Sequence, residues 1–592
     1  MREWGKSGIG NRESEIGSRE RTVVGVGYER GHMMGRIAAG VLGWLLISAV
    51  SAAAQPIDLL IRDGVIYDGS GKAPVRGDIA VLDGRVIDVG TRETYEPKQT
   101  IDARGLAVAP GFINVLSWAT DSLMHDGRAM SDIKQGVTLE IFGEGTSWGP
   151  VNETLREELT KTQTDIRYDI TWTTLGEYLE LLVKRGISPN VASFIGATTV
   201  RVHEIGYADR KATADELRRM QDLVRAAMRE GALGVGSSLI YAPAAYADTS
   251  ELVALSRAAS EFDGTYISHL RSEGDRFLEA LDELIHISRE ANISAEVYHL
   301  KAAGQANWPK MAQAIAKIEA ARKQGLKVSA NMYPYTAGAT GLDAAMPPWV
   351  QEGGIDAWIA RLQDPEVRVR VLREMREPSA HWESLYLAAG SAEKLRLIGF
   401  KTEKLKALTG QTLAQVARAR GVSPEDAAID LVIEDRSRVS TAYELMSEAN
   451  VELGLSQPWV SIGSDAEAPA PEGPFLLSNP HPRAYGSFAR FLGRYVRDEK
   501  VTDLQSAVRR LTRLPAENFK LKDRGCLFVN CHADIVVFDP AKINDRATFA
   551  RSHQFAEGVV HVFVNGVQVL KDAEHTGAKP GQVVRGPGWV GK

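Results

Sequence analysis

The sequence predicts an α/β protein: a (β/α)8 TIM-like barrel carrying a small β-sandwich built from both ends of the mature chain. Three observations predict it. Eight short apolar runs, at 112–116, 138–142, 190–195, 232–237, 265–269, 294–299, 327–333 and 460–465, alternate with longer stretches of helical period. Polar residues able to do chemistry close several of those runs. Both ends of the mature chain alternate apolar and polar residues around turn signals, and the middle does not. Strands alternating with helices are the signature of parallel strands joined by crossovers. A doubly wound open sheet shares that alternation, but eight runs with polar C-terminal ends favour the closed barrel.

Residues 1–54 read as an N-terminal extension and a signal peptide. The first part, up to His32, is rich in Arg, Glu, Gly and Ser and has no apolar period. Arg36 then precedes an apolar run at 37–50, and Ala52-Ala53-Ala54 follows. A basic start, a short apolar stretch and an A-x-A site form a secretory pattern with cleavage after Ala54, which places the protein in the periplasm or outside the cell. An N-terminal membrane anchor is the alternative, and the run is short for a stable span.

Residues 55–110 and 516–592 read as the two parts of the sandwich. Turn signals at Asp68-Gly69, Asp83-Gly84 and Asn565-Gly566 separate alternating runs, and Asn-Gly between apolar runs is a strong hairpin signal. Cys526 and Cys531, the only cysteines, flank Val529-Asn530 and are placed to pair across a hairpin turn or to stay as two thiols. Two cysteines exclude a disulfide scaffold.

Residues 111–515 read as the barrel. Between its strands lie helical patterns such as 214–230, with Leu217, Met220, Val224, Ala227 and Met228 on one face. The last gap exceeds a hundred residues and holds a lid insertion at about 341–445, with Pro347-Pro348-Trp349 and helices at 356–375 and 412–420. Long insertions after barrel strands stand over the active face. The chain of 592 residues is 44% hydrophobic and 25% charged, with a net charge of −6, which gives no electrostatic reason for a nucleic-acid partner.

Catalytic groups of barrel enzymes sit at the C-terminal ends of strands. The fifth run ends in His269, the sixth in His299 and the eighth in Asp465, and Glu144 lies just past the second. Two imidazoles and two carboxylates at one barrel end suit a Zn²⁺ site with a base. A single histidine there is usually a satisfied loop residue; two on adjacent strands, with an Asp on the last, are harder to dismiss. Trp118, Trp148 and Trp308 are read as pocket lining or loop packing, Glu273 and Asp275 as solvated or ion-paired, and His481 as structural or substrate-positioning.

From Asp58 onward the sequence resembles the N-acyl-D-amino-acid deacylase (D-aminoacylase) family of the amidohydrolase superfamily. The carrying segments include Ala109-Pro110-Gly111-Phe112-Ile113, Gln135-Gly136-Val137-Thr138, Ser268-His269-Leu270-Arg271-Ser272-Glu273-Gly274, His299-Leu300-Lys301-Ala302-Ala303-Gly304, Tyr333-Pro334-Tyr335, Gly463-Ser464-Asp465-Ala466 and His481-Pro482-Arg483. The resemblance implies a metal-dependent hydrolase barrel that deacylates N-acyl-D-amino acids. It implies that His269 and His299 hold the metal and that Asp465 is the acid/base. It also implies that Lys301, Tyr333 and Arg483 meet a small substrate, chiefly its carboxylate.

The departures are as informative. Where the superfamily carries His-x-His at the end of strand one, this chain reads Asn114-Val115-Leu116-Ser117-Trp118, so both histidines are gone. The family's Cys ligand after strand two is replaced, with Gly145 at its place and Glu144 beside it. Two readings follow. In one, Glu144, His269 and His299 bind one zinc per chain, similar to the Glu-His-His site of N-acetylglucosamine-6-phosphate deacetylases. In the other, the protein is a degenerate homologue that binds a ligand without hydrolysing it. Cyclic-amide hydrolysis of the hydantoinase kind is disfavoured, because strand four carries no lysine to bridge two metals.

Overall fold

The computed structural model describes residues 54–90 and 94–591, and the expected signal peptide lies outside them. All eight expected barrel strands form. They are Phe112–Asn114, Val137–Phe142, Asn190–Ser193 continued by Ile195–Gly196, Gly234–Ser238, Thr265–His269, Ser294–Val297, Val328–Met332 and Val460–Ile462. Every neighbouring pair from the first strand to the eighth is parallel, with the third strand pairing on its two sides through its two pieces. A parallel bridge between Ser117 and Ala466, with the Asp465 amide donating to the Leu116 carbonyl at 2.8 Å, links the eighth strand back to the first. The lumen is filled by Ile113, Ile141, Phe194, Ile267 and Tyr298, and Phe519 and Val584 pack into the same cluster.

The helices follow their sequence signals. Ala214–Arg229 opens with a capping box, in which Thr213 accepts from the Glu216 amide and Glu216 reaches back to Thr213. Leu413–Arg420 opens the same way on Thr412 and Gln415. The expected single helix at 356–375 is instead two, Ile355–Gln363 and Pro365–Arg376. Pro365 cannot donate to the preceding turn, and Asp364 caps the second helix by accepting from Glu366 and Val367.

Between the seventh and eighth strands the chain builds its own small body. Ala337–Gly341, Leu395–Gly399 and Ser440–Glu444 form an antiparallel sheet with Ser440–Glu444 in the middle. Leu342, Trp358, Leu362, Val371, Leu397, Leu413, Val432 and Tyr443 give it a separate apolar core.

Both chain ends join in one nine-stranded sheet, connected where Ala107–Pro110 pairs antiparallel with Ile535–Phe538. Residues from both ends, among them Leu59, Ile79, Val86, Ile101, Val108, Ile535 and Phe563, share one core, so the sheet folds over itself as a sandwich. Asp83-Gly84 and Asn565-Gly566 both take positive φ and turn hairpins, as their composition predicts. Cys526 and Cys531 are disulfide-bonded. The turn they flank does not join two strands, because the next strand starts only at Ile535. Among the described residues, no helix is long and apolar enough to cross a membrane.

Candidate metal centre

Three side chains converge at the mouth of the barrel. The ligand atoms of Glu144, His269 and His299 all lie within 4.8 Å of one another, and all three residues are buried. His269 ends its strand, and His299 lies two residues past the end of its own. The imidazole centroids are 4.5 Å apart and nearly perpendicular.

Local backbone explains how the carboxylate joins them. Glu144 sits between Gly143 and Gly145, both at positive φ. A Cβ on Gly145 would lie 2.5 Å from the Ser238 Cβ. The position where the sequence comparison places a cysteine ligand therefore has no room for a side chain here, and Glu144 supplies the donor from one residue earlier. His299 and Asp465 also take positive φ, at 34° and 51°. Non-glycine residues held there concentrate at functional sites, where neighbouring structure imposes the conformation.

The second layer fixes the rings. His269 Nδ1 lies 3.0 Å from the Leu270 carbonyl, so it donates there and leaves Nε2 as the free lone pair. Glu273 Oε1 lies 3.1 Å from His299 Nδ1 and 2.5 Å from Lys301 Nζ. His299 Nδ1 is also 2.6 Å from Lys301 Nζ, and its Nε2 faces Glu144 Oε1 at 2.8 Å. A ring fixed through one nitrogen, with the other facing inward, is the usual construction of a zinc-ligating histidine.

The electrostatics divide the two rings. Burial holds the His269 pKa down at about 4, keeping the ring neutral. Burial and Lys301 also push His299 down, but Glu273 and Glu144 outweigh them and raise it to about 9, so this ring must give up a proton to become a ligand. Burial favours the protonated form of Glu144, yet His299, His269 and Lys301 hold its pKa below the ordinary value. Three carboxylates, Glu144, Glu273 and Asp465, face Lys301, Arg483 and the His299 ring. The donor set, one carboxylate and two imidazoles, is of the kind that holds catalytic zinc.

Asp465 stands at the edge of this cluster. Trp118 Nε1–H is shared between Glu144 Oε2 at 3.0 Å and Asp465 Oδ1 at 3.2 Å. Arg483 Nη1 lies 2.8 Å from Asp465 Oδ2. Burial raises the Asp465 pKa, against Arg483, to about 6. Beneath it, Asn114 ties the turn down: its Oδ1 accepts from the Ser464 amide at 2.9 Å and its Nδ2 donates to Ser464 Oγ at 2.8 Å.

All seven residues named from the sequence meet here. Tyr333 lies with its ring 4.6 Å from the Arg483 guanidinium and 5.8 Å from Lys301 Nζ. Lys301 does not stand free; it is turned inward onto Glu273 and His299. His481 has both nitrogens engaged, Nε2 with the Ala337 carbonyl and Nδ1 with the Arg483 amide, so it is structural. Glu273 takes the ion-paired of its two expected readings, as the buried partner of His299 and Lys301. One role was missed by sequence reasoning. Trp118 is no general pocket aromatic but the donor joining Glu144 to Asp465. The signal for Trp118 was its place in the substituted His-x-His segment.

The model of the amidohydrolase family matches residues 166–570. The chain belongs to the amidohydrolase family. Within it, the chain is 31% identical to the D-aminoacylase of Alcaligenes xylosoxydans xylosoxydans, over 90% of its own length and 98% of that protein. The crystal structure of N-acyl-D-glutamate deacylase from Bordetella bronchiseptica, complexed with zinc and a phosphonate mimic of the tetrahedral intermediate, is 29% identical and superposes with a TM-score of 0.73. It covers 90% of this chain and all of the other. A solved D-aminoacylase, described by one-metal activation and second-metal attenuation of a binuclear centre, has a TM-score of 0.74, with 29% identity and the same coverage. This amidohydrolase is thus a D-aminoacylase-like, metal-dependent hydrolase of linear amides.

Proposed function

We propose that this amidohydrolase deacylates N-acyl-D-amino acids, with one zinc ion per chain held by Glu144, His269 and His299 and with Asp465 as acid/base. The carrying observation is a set of buried donors without a partner beside that cluster: the Tyr333 hydroxyl and Arg483 Nε have none, and Arg483 Nη1 has only its ionic contact with Asp465. Unsatisfied buried donors are costly, and in a native site they point to a ligand. Two such groups on adjacent side chains suit the carboxylate of an amino-acid product.

The ion, when bound, supplies Lewis-acid charge and lowers the pKa of a coordinated water. Asp465 would accept a proton from the attacking water and return it to the leaving amine, a pair of tasks that one carboxyl can perform. Arg483 holds Asp465 with one nitrogen and presents Nε to the substrate carboxylate, beside the Tyr333 hydroxyl. Lys301 acts through Glu273 and the His299 ring. Trp118 supports a single ion: its indole N–H, a donor that no metal can share, stands between Glu144 and Asp465 where the superfamily carries a histidine.

The test is elemental analysis of dialysed protein paired with a hydrolysis screen of N-acyl-D- and N-acyl-L-amino acids. One zinc per chain and turnover of D-substrates support the reading. Two tightly held ions, or no turnover of any acyl amino acid, overturn it. We also propose export with cleavage after Ala54, so protein recovered from the periplasm should begin at Gln55; an intact Met33 in cytosolic material would refute it.

A further inference from the structure

The insertion between the seventh and eighth strands grips the barrel mouth at two places. The Leu445 carbonyl accepts from the Gly304 amide and from Trp308 Nε1, both at 2.9 Å, which secures the loop after strand six. Glu383, on the segment between helices Pro365–Arg376 and Leu385–Ala389, reaches the loop after strand five. Its Oε2 accepts the amides of Glu273 at 3.1 Å and Gly274 at 2.9 Å, and the Ser272 hydroxyl donates to the same oxygen. Its Oε1 lies 3.3 Å from the Glu273 amide. Gly274 permits the approach, since a Cβ there would sit 3.0 Å from the Glu383 Cδ.

Two successive backbone N–H groups and a hydroxyl aimed at one point form an anion cradle. Here a carboxylate from a distant part of the chain fills it. The gripped turn is the one that carries Glu273, and the Glu273 carbonyl also accepts from the Ala303 amide at 2.7 Å. Glu273 in turn sets the His299 ring and Lys301, so slack in the turn passes straight to a metal ligand. Glu383 borders a cavity of about 710 Å³, lined also by Arg276, Asn307, His381 and Trp382. Its hold on the barrel is the cradle itself.

We propose that Glu383 is a positioning residue, through which the insertion sets the Ser272-Glu273-Gly274 turn and so completes the metal site from outside the barrel. This rests on the reading that Glu144, His269 and His299 bind a metal. Partners bonded directly to a ligating histidine change metal affinity by about 10- to 100-fold when lost, and Glu383, one contact further out, is expected at the low end of that range.

The experiment compares the full chain with Glu383→Ala, Glu383→Gln, Ser272→Ala and, as a control lining the same cavity without touching the turn, His381→Ala. Zinc affinity is read by chelator competition, kcat and KM separately on an N-acyl-D-amino acid, and backbone exchange on a peptide spanning 270–276. Glu383→Ala should weaken zinc by roughly tenfold or more, lower kcat with little change in KM, and speed exchange at Glu273 and Gly274. Glu383→Gln keeps one acceptor oxygen and should recover part of the loss, and His381→Ala should match the parent. Parental zinc affinity together with parental exchange in Glu383→Ala overturns the proposal. If that variant does not fold, unchanged zinc affinity in both Glu383→Gln and Ser272→Ala overturns it. If the parent itself binds no zinc, the metal reading fails separately, and exchange alone decides for or against Glu383.

Discussion

The terminal sheet and the barrel mouth solve opposite problems. The sheet buries Leu59, Ile79, Val86, Ile535 and Phe563 in an apolar core and turns on Asp-Gly and Asn-Gly, so most local preferences agree with the fold, Ala573 at positive φ being an exception. The mouth buries Glu144, Glu273, His269, His299 and Lys301 and holds His299 and Asp465 at positive φ. Agreement between levels is what stabilises a fold, and breaches of it gather where chemistry is done. Substitutions in the two regions should therefore fail differently: at the mouth, activity falls with stability little changed; in the sheet, stability falls with kinetics intact.

The largest effect belongs to Glu144→Ala, which should lose zinc and turnover together. A Glu144→Ala protein that binds zinc as tightly as the parent would place the metal elsewhere and break the comparison at its centre. Asp465→Asn should keep most of its zinc and lose turnover by at least about a hundredfold, because an amide cannot accept and return a proton. Parental turnover in that variant would remove Asp465 from the mechanism.

In the sheet, Phe563→Ala should cost about 3–5 kcal/mol by denaturant unfolding, the range for a fully buried aromatic, with kcat and KM of the remaining folded protein unchanged. Kinetics that fall in step with stability would show that the sheet and the mouth are not separable. Arg483→Lys keeps the charge and loses the planar fork. It should raise KM by about tenfold, the worth of one charge-assisted hydrogen bond, and an unchanged KM would leave Arg483 as the holder of Asp465 alone. The smallest effect is Gly84→Ala, at roughly 1 kcal/mol, since Gly84 has φ of 71° and a Cβ there would meet the Asn565 carbonyl at 2.8 Å. A neutral result would mean the hairpin relaxes freely.

The same division governs what could be read in advance. His269, His299 and Asp465 were legible because each closes an apolar run, at the end of its strand or within three residues past it, and barrel strands all end at one face. The two-helix break at Pro365 was visible in the residue itself and was passed over for the longer period around it. For Glu273 the sequence left a solvated and an ion-paired reading open, since four residues past a strand end an acid can be either; the fold turns the loop inward and pairs it with Lys301 and His299. Trp118 was noticed, but nothing local says where an indole N–H points.

By itself, the sequence determined the eight-strand alternation, the hairpin turns of the sheet and the identity of the groups that would meet at the barrel mouth. These rest on periodicity and turn chemistry, which act over a few residues. The tertiary structure decided how the groups are engaged: that Gly145 is too crowded to bear a ligand, that Lys301 faces Glu273 rather than solvent, and that Glu383 closes on a turn 109 residues away. Such engagements depend on distances between segments far apart in the chain, and those distances are set only when the barrel closes and the insertion docks on it.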